Sequence, residues 1–207
     1  MRVPKKNYPL QHDIDYREGQ ADTTWVPLGG ASGIGLAAAE ILAEKGASVH
    51  VLDLNLPEQD VPGVRFHKCN VARWEELRDA FDVVGPVDYA FANAGVSEEA
   101  DYFADQLDGD GKLVEPAYRV LDINVRAVYN FVKLAWSSMR KRENRPAGSI
   151  VITISSTAYA PEQSLPVYSS GKLAVSLTLL CLLRSNVLSG HAPASKHVEA
   201  NTLEEEC

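Results

Sequence analysis

A glycine-rich segment, Gly29-Gly30-Ala31-Ser32-Gly33-Ile34-Gly35, places the strongest constraint on what this chain can fold into. It lies where an apolar stretch runs into a sequence rich in alanine and leucine, which is typical of a strand that turns directly into a helix. Glycines there allow a tight turn and let a pyrophosphate approach the N-terminal amides of the helix. An isolated motif of this kind also fits an ordinary glycine-rich turn, so the surrounding pattern has to decide.

Short apolar runs alternate with helical patterns from Trp25 onward. Gly46 and Gly85 follow the first two helical patterns, as is usual at helix ends. Alternation of this kind predicts a doubly wound α/β fold of the Rossmann type, in which crossover helices connect the strands of a parallel sheet. The predicted strands are 48–52, 64–69, 87–92 and 149–154, and the predicted helices are 34–45, 73–83 and 117–142.

One domain accounts for this pattern. The chain has 207 residues, of which 45% are hydrophobic, and this is enough to bury a single sizeable core. We expect residues 25–188 to form a dinucleotide-binding domain between poorly ordered polar tails at 1–24 and 189–207. Residues 185–207 contain no strand pattern, so we expect the sheet to be incomplete at its C-terminal end.

Charge and cysteine content exclude several classes of partner. A net charge of −8 repels nucleic acid and offers no basic patch to an anionic membrane. The first residues do not resemble a signal peptide, and the longest apolar run, 173–183, is too short to span a bilayer and predicts a buried helix. Cys69, Cys181 and Cys207 show neither disulfide nor zinc spacing. We therefore expect a cytoplasmic protein without a metal that acts on a small molecule.

An acidic residue follows the second predicted strand. Asp53 ends the run Val51-Leu52-Asp53, eighteen residues after Gly35, near the spacing at which a carboxylate binds the adenine ribose hydroxyls of a dinucleotide. The alternative is an ordinary solvated turn residue. A carboxylate there would repel a phosphate on the ribose, so the sequence predicts NAD in preference to NADP as the cofactor.

The glycine spacing Gly-x3-Gly-x-Gly resembles that of the short-chain dehydrogenase/reductase family, classical type. Further landmarks of that family follow in the same order, from about Gly29 to Leu183. They are Asn93-Ala94-Gly95 after the strand at 87–92, Asn124 within 121–125, Ser155 after the strand at 149–154, and Tyr168 four residues before Lys172. The loop at 160–167 is similar to that of fungal members related to hydroxyprostaglandin dehydrogenases.

The resemblance implies an NAD(P)-dependent oxidoreductase of secondary metabolism that interconverts a secondary alcohol and a ketone on a fairly apolar substrate. It implies that Ser155 hydrogen-bonds the substrate oxygen, Tyr168 exchanges its proton, Lys172 holds the ribose and Asn124 anchors a water. The implied cofactor-binding residues are Gly29, Ser32, Gly33, Ile34, Gly35, Asp53, Asn70, Val71, Asn93, Gly95, Tyr168 and Lys172.

A second tyrosine and lysine have the same spacing as the implied catalytic pair. Tyr168 and Lys172 lie four apart and share a helix face, where an ammonium beside a phenol favours the phenolate. Tyr129 and Lys133 are also four apart, but Pro116 stands where a catalytic serine would be required. We therefore assign Tyr129 and Lys133 to a helix surface.

Two assignments keep an alternative. Ser155 is preferred over Ser156 because it lies thirteen residues before Tyr168, the spacing of the family. Adjacent strand residues point to opposite faces, so only one of the two serines can face the cofactor. The competing interpretation is that either serine only caps a turn. Asn124 also has a structural interpretation, as a tolerated polar residue in an amphipathic helix.

The chain departs from the family pattern at several positions. Leu28, Asn70 and Ala92 replace the usual Thr, Asp and Asn, although an amide at position 70 can still hydrogen-bond adenine. Pro27 lies within the first strand, at 23–28, and proline cannot donate to a central ladder. We therefore expect this strand to be short or badly paired.

Beyond Lys172 the elements with which the family continues are not recognisable in this chain. The alternative function is therefore a catalytically weak or inactive member that binds only a dinucleotide or a partner subunit. An unrelated nucleotide-binding α/β protein is a third interpretation. The helices at 117–142 and 167–183 are those with which the family dimerises, so we expect a homo-oligomer, unless their apolar faces are buried within the chain.

Overall fold

Six strands form one parallel sheet in the computed structural model, which describes residues 22–99, 101–141, 148–184 and 200–202. The strand order is β3-β2-β1-β4-β5-β6, so the direction of winding reverses between β1 and β4. In open α/β sheets ligands bind at such a switch point, outside the carboxyl ends of the strands. The strands are β1 (Thr24–Leu28), β2 (Ser48–Asp53), β3 (Val64–Lys68), β4 (Tyr89–Ala92), β5 (Ser149–Ile154) and β6 (Ala200–Thr202).

Helices cover both faces of the sheet, which confirms the predicted doubly wound α/β class. Val26 and Leu28 point into the larger core, which α2 and α4 cover, and Val49 and Val51 point to the opposite face, which α1 covers. The helical elements are α1 (Gly33–Glu44), α2 (Trp74–Val84), α3 (Arg119–Leu121), a π-helical turn (Asp122–Ala127), α4 (Val128–Met139), a 3₁₀ turn (Ser156–Ala158) and α5 (Pro166–Arg184).

The first strand is central and paired on both sides, which corrects the prediction that Pro27 leaves it badly paired. On the β4 side the register is continuous from Trp25 to Leu28. On the β2 side Trp25 and Leu28 have partners, whereas the register omits the two residues between them. Gly29 N–H bonds Leu52 O on the β2 side, and backbone groups alternate between neighbours, so the proline nitrogen also faces β2. Proline therefore removes one bond of one ladder.

The helix predicted at 117–142 is interrupted. Helical structure begins at Arg119, passes through the π-helical turn and ends at Met139, while Arg142 lies outside the described residues. The preceding residues form a loop in which Leu107 and Leu113 make an isolated antiparallel bridge. A π-helical turn holds an extra residue and changes the face on which later side chains emerge, and such turns are frequent at functional sites.

The C-terminal part contains a strand, which corrects the prediction that residues 185–207 have none. β6 pairs in parallel with the end of β5, but three residues are too few to show an alternating pattern in the sequence. The helix predicted at 173–183 lies within α5, yet Leu173 and Leu177 are exposed rather than buried. Among the described residues no helix is long and apolar enough to cross a membrane.

Candidate functional site

The glycine-rich turn between β1 and α1 is packed against the end of β4. Gly29 has a φ of +77°, and a Cβ at this residue would lie 2.5 Å from the Cα of Ala94. A Cβ at Gly35 would collide with the carbonyl oxygen of Gly29. Both glycines are therefore required by the folding of the turn itself, because only hydrogen fits where two backbone segments approach this closely.

Gly33, the residue that begins α1, is surrounded differently. Its φ is +55°, and apart from its chain neighbours and the backbone of its own helix no described atom lies within 4 Å of the Cβ that a side chain would add. The side chain of Ser32 makes no capping bond in the described part of the chain, and Ser32 and Ile34 are both exposed. The first amides of α1 thus adjoin open space at the carboxyl edge of the sheet, where an anion can bind.

The carboxylate of Asp53 ties the end of β2 to the glycine-rich turn. One oxygen accepts the N–H of Ala31 at 3.0 Å and the other accepts the N–H of Asn55 at 3.0 Å. A carboxylate has about four acceptor positions, so two backbone bonds leave capacity for hydroxyl donors. Asp53 is therefore more than a solvated turn residue, because it positions the turn as well.

The pair Asn70 and Val71 follows β3 and leads into α2. Asn70 Oδ1 accepts the N–H of Ala72 at 3.1 Å, and its own N–H donates to Glu76 at 2.7 Å. The side chain of Val71 is buried in the larger core. A contact of this segment with an adenine would therefore use the Asn70 amide nitrogen or the Val71 backbone.

Asn93 connects three segments of the site. Its Nδ2 donates to Gly29 O at 2.9 Å, and its Oδ1 accepts the hydroxyl of Thr153 at 3.0 Å. Its backbone N–H donates to Leu28 O at 3.0 Å. The predicted cofactor-binding residue Asn93 thus holds the glycine-rich turn by its side chain.

Asn124 lies in the π-helical turn with 1% of its surface exposed. Its side-chain amide makes two bonds to one residue, accepting from Val96 N–H at 2.9 Å and donating to Val96 O at 2.9 Å. The amide thus exchanges two hydrogen bonds with the backbone of one residue, as opposed residues of neighbouring strands do, and it fixes the segment that follows Gly95. The structure therefore contradicts the interpretation of Asn124 as an indifferent polar residue in a helix.

Lys172 and Asn124 meet beside Gly95. A Cβ at Gly95 would lie 3.5 Å from Asn124 Oδ1 and 3.6 Å from Lys172 Nζ. Lys172 is 6% exposed, donates to Thr153 O at 3.2 Å and lies 5.7 Å from the centroid of the Tyr168 ring. Burial lowers the pKa of the Lys172 ammonium, because the charged form loses water. The structure thus brings together three of the four predicted catalytic residues.

Ser155 directly follows β5, and its hydroxyl caps the 3₁₀ turn that comes next. Its Oγ accepts the N–H of Thr157 at 3.2 Å and the hydroxyl of Thr157 at 3.0 Å. Both bonds use lone pairs, so the hydroxyl hydrogen of Ser155 can still be donated. Ser156 is exposed and already belongs to the 3₁₀ turn. The turn packs against α5, the helix that carries Tyr168.

The second tyrosine–lysine pair lies elsewhere on the molecule. Tyr129 bonds the hydroxyl of Thr178 at 2.8 Å where α4 packs beside α5, and Lys133 is exposed. Two residues that border the site were missed in the sequence. Glu98 accepts the backbone N–H of Tyr168 at 2.7 Å. Thr153 could have been recognised as a polar residue within the otherwise apolar end of β5.

Comparisons with known proteins agree with this geometry. The model of the short chain dehydrogenase family matches residues 24–185. The short-chain dehydrogenase/reductase ATR7 of Stachybotrys chlorohalonatus is 52% identical over 169 residues, which are 80% of this chain and 52% of that protein. The short-chain dehydrogenase/reductase prx4 of Penicillium roqueforti is 51% identical over 146 residues, 70% of this chain and 44% of that protein. The chain thus spans about half the length of these relatives.

Solved structures show the same fold. An NADH-dependent reductase, A1-R′, solved as a complex with NAD, superposes with a TM-score of 0.71 at 18% identity, covering 90% of this chain and 80% of that one. A protein described as a short chain dehydrogenase/reductase family protein superposes with a TM-score of 0.64 at 28% identity, covering 81% and 70%. The family match, the fungal relatives and the fold agree, and this chain belongs to the short-chain dehydrogenase/reductase family of oxidoreductases.

Proposed function

We propose that the chain binds NAD(H) and interconverts a secondary alcohol and a ketone. The observation that carries the proposal is the meeting of Asn124 and Lys172 beside Gly95, with the Tyr168 ring next to the ammonium. Asn93, two residues before Gly95, contacts the glycine-rich turn. A binding turn for phosphates and an acid/base group therefore belong to one connected site.

The residues present fit a dinucleotide. The open space at Gly33 leaves room for a pyrophosphate at the first amides of α1, where the positive end of the helix dipole favours negative charge. The free acceptor positions of Asp53 suit the adenine ribose hydroxyls. The Lys172 ammonium donates one hydrogen to the Thr153 carbonyl and has further hydrogens for the second ribose. When bound, the nicotinamide would supply or accept the hydride.

Asp53 supports the proposed preference for NAD over NADP. A phosphate on the adenine ribose would approach the Asp53 carboxylate, and like charges at such distances repel. The next two residues, Leu54 and Asn55, supply no compensating cation. The bond from Ala31 N–H to Asp53 holds the carboxylate against the turn, so it cannot easily move away from a phosphate.

The side chains around the substrate oxygen have distinct roles in this proposal. Ser155 donates its hydroxyl hydrogen to that oxygen, since the bonds it makes in the structure use only its lone pairs. Tyr168 delivers or removes the proton of the alcohol. Lys172 holds its charge near the tyrosine ring, and Asn124 fixes the segment at Val96 that borders the site.

The proposed substrate class is supported by the likeness of the chain to fungal members of the family. The relatives include fungal short-chain dehydrogenases/reductases, and the loop at 160–167 resembles the corresponding loop of fungal members of the family. We propose a fairly apolar ketone or secondary alcohol of secondary metabolism, converted in the cytoplasm.

We also propose that a second copy of the chain covers the exposed apolar side chains Trp136, Leu173 and Leu177, which sedimentation of purified protein would test.

The proposal is tested by titrating the purified chain with NADH and NADPH, followed by a turnover assay on a panel of ketones. NADH should bind more tightly, and Asp53→Ala should narrow the difference, because it removes the charge that repels the extra phosphate. Tighter binding of NADPH by the unmodified chain would disprove the role of Asp53. Binding without turnover would support a dinucleotide-binding protein instead, and binding of neither nucleotide would contradict the proposal as a whole.

A further inference from the structure

A series of hydrogen bonds joins the glycine-rich turn to Lys172 through Thr153. Gly29 O accepts from Asn93 Nδ2 at 2.9 Å, and Asn93 Oδ1 accepts from Thr153 Oγ1 at 3.0 Å. Thr153 O in turn accepts from Lys172 Nζ at 3.2 Å. Three bonds thus connect the loop after β1, the end of β4, β5 and α5.

The direction of each bond in this series is fixed by chemistry. A carbonyl can only accept, so Gly29 O requires the NH₂ of the Asn93 amide and thereby turns its oxygen toward Thr153. That oxygen needs a donor, which the single hydroxyl hydrogen of Thr153 supplies. An ammonium can only donate, and Lys172 therefore bonds the carbonyl of the same threonine. Thr153 is the residue at which the two halves of the series meet.

We propose that Thr153 is a positioning residue that couples the glycine-rich turn to Lys172. This rests on the proposed function, in which the turn holds the pyrophosphate and Lys172 holds the nicotinamide ribose of one dinucleotide. Thr153 sets the separation of these two holding points before the nucleotide arrives. Lys172 is then already ordered when the nucleotide binds, so the free energy of binding does not include the cost of ordering it, which is the usual effect of preorganisation.

The test compares Thr153→Val, which keeps the shape and removes the donor, with Thr153→Ser, which keeps the hydroxyl. ADP probes the turn and the adenine side of the site without Lys172, whereas NADH probes Lys172 as well. Thr153→Val should weaken NADH binding by about fivefold and ADP binding by less, within the range that network mutations produce. Thr153→Ser should restore NADH affinity. Thr178→Val, which removes a hydroxyl bonded to Ala174 O on α5, is the matched control and should change neither affinity.

A double-mutant cycle separates coupling from general loosening of the fold. If Thr153 acts through Lys172, Thr153→Val should weaken NADH binding less in a Lys172→Met background than in the unmodified chain. Equal losses for ADP and NADH, or strictly additive losses in the cycle, would overturn the coupling. Thermal unfolding of each variant shows whether the protein compared is folded.

Hydrogen exchange gives a measurement that does not depend on nucleotide binding. In the nucleotide-free chain, Thr153→Val and Lys172→Met should each accelerate exchange of the amides at 29–35 while leaving α2 unchanged. If the unmodified chain binds neither ADP nor NADH, the proposed function is wrong and this comparison alone decides the coupling. Unchanged exchange at 29–35 in Lys172→Met would overturn it.

Discussion

Gly33 and Gly35 lie two residues apart and serve different purposes. A methyl group at Gly35 collides with Gly29 O, so Gly35→Ala should lower the free energy of unfolding by about 1–3 kcal/mol or more. The methyl group of Gly33→Ala contacts no described atom beyond its chain neighbours and its own helix, so this variant should lower the free energy of unfolding by only about 1 kcal/mol, because of the positive φ. It should weaken NADH binding, because the methyl group occupies the space proposed for the phosphate. Urea unfolding and NADH titration of both variants check this.

A third glycine provides the control for that pair. Gly109 lies in the loop before α3, has no positive φ and meets no described atom within 4 Å of an added Cβ. Gly109→Ala should therefore change neither stability nor NADH affinity by a measurable amount. A Gly33→Ala variant that binds NADH as well as Gly109→Ala would show that the pyrophosphate does not lie at Gly33.

The hydroxyl of Tyr168 is the group on which turnover should depend. Tyr168→Phe keeps the ring beside Lys172 and removes the proton that is exchanged, so turnover should fall by about 10²–10⁴ while NADH affinity stays within about twofold. Tyr129→Phe loses a bond to Thr178 and should lower stability by about 1 kcal/mol without a comparable loss of turnover. Steady-state rates of the two variants settle which tyrosine acts.

Among the elements, β1 lacks one ladder hydrogen bond that a residue other than proline could supply. The nitrogen of Pro27 faces β2. Gly29 N–H donates to Leu52 O, and the preceding bond of this ladder lies two residues earlier in both strands. His50 O is therefore the acceptor whose ladder donor is missing at Pro27. Pro27→Val supplies that donor. It should raise the free energy of unfolding by about 1 kcal/mol relative to Pro62→Ala, which corrects for the lost rigidity of a proline in the unfolded chain. Equal stability of the two variants would contradict this pairing.

Strands β2 to β5 and the turn at Gly29–Gly35 were predictable because they depend on local patterns. Apolar runs identified β2, β3, β4 and β5 to within two residues, and glycines identified the entry to α1. The π-helical turn was not predictable, because it depends on the bonds between Asn124 and Val96, which are distant in the sequence. For β6, a three-residue strand has no period to detect.

Some residues of the site could likewise be predicted from local spacing, and others could not. Tyr168 and Lys172 were identified from their spacing, since four residues on a helix share a face. Glu98 and Thr153 contact Tyr168 and Lys172 only because β4 and β5 end at the same edge of the sheet. Glu98 has no local pattern that marks it, and Thr153 is marked only as a polar residue in an apolar strand, so the structure was required to identify their partners.

At the scale of the whole molecule, a histidine pair makes stability depend on pH. Arg65 Nη1 lies 3.3 Å from His50 Nε2, and because a guanidinium can only donate, His50 Nε2 accepts. His50 Nδ1 then carries the ring hydrogen and donates it to His67 Nε2 at 3.0 Å. Burial, followed by the charges of His67 and Arg65, lowers the pKa of His50 from 6.5 to about 4. Burial and Arg65 also lower the pKa of His67. Both rings are therefore neutral in the folded protein at neutral pH.

The sign follows from proton binding. Between pH 6.5 and about 4 the unfolded chain binds a proton at His50 that the folded chain does not, so stability is complete above 6.5 and is lost as the pH falls toward 4. Unfolding free energy should drop by about 1–2 kcal/mol between about pH 7.5 and about pH 5 from this group, with solvent screening allowed for. In urea unfolding His50→Gln should show a shallower pH dependence, and an unchanged slope would contradict the assignment.

The position of β1 between β2 and β4 has a consequence for the order of assembly. During synthesis β1 emerges about sixty residues before its partner β4, and parallel pairs of this kind close large loops and form slowly. Until then β1 exposes an unpaired edge to other chains. Trp25 stacks on Tyr89 at 4.3 Å across β1 and β4, so the indole emission of Trp25 reports the moment at which this edge closes.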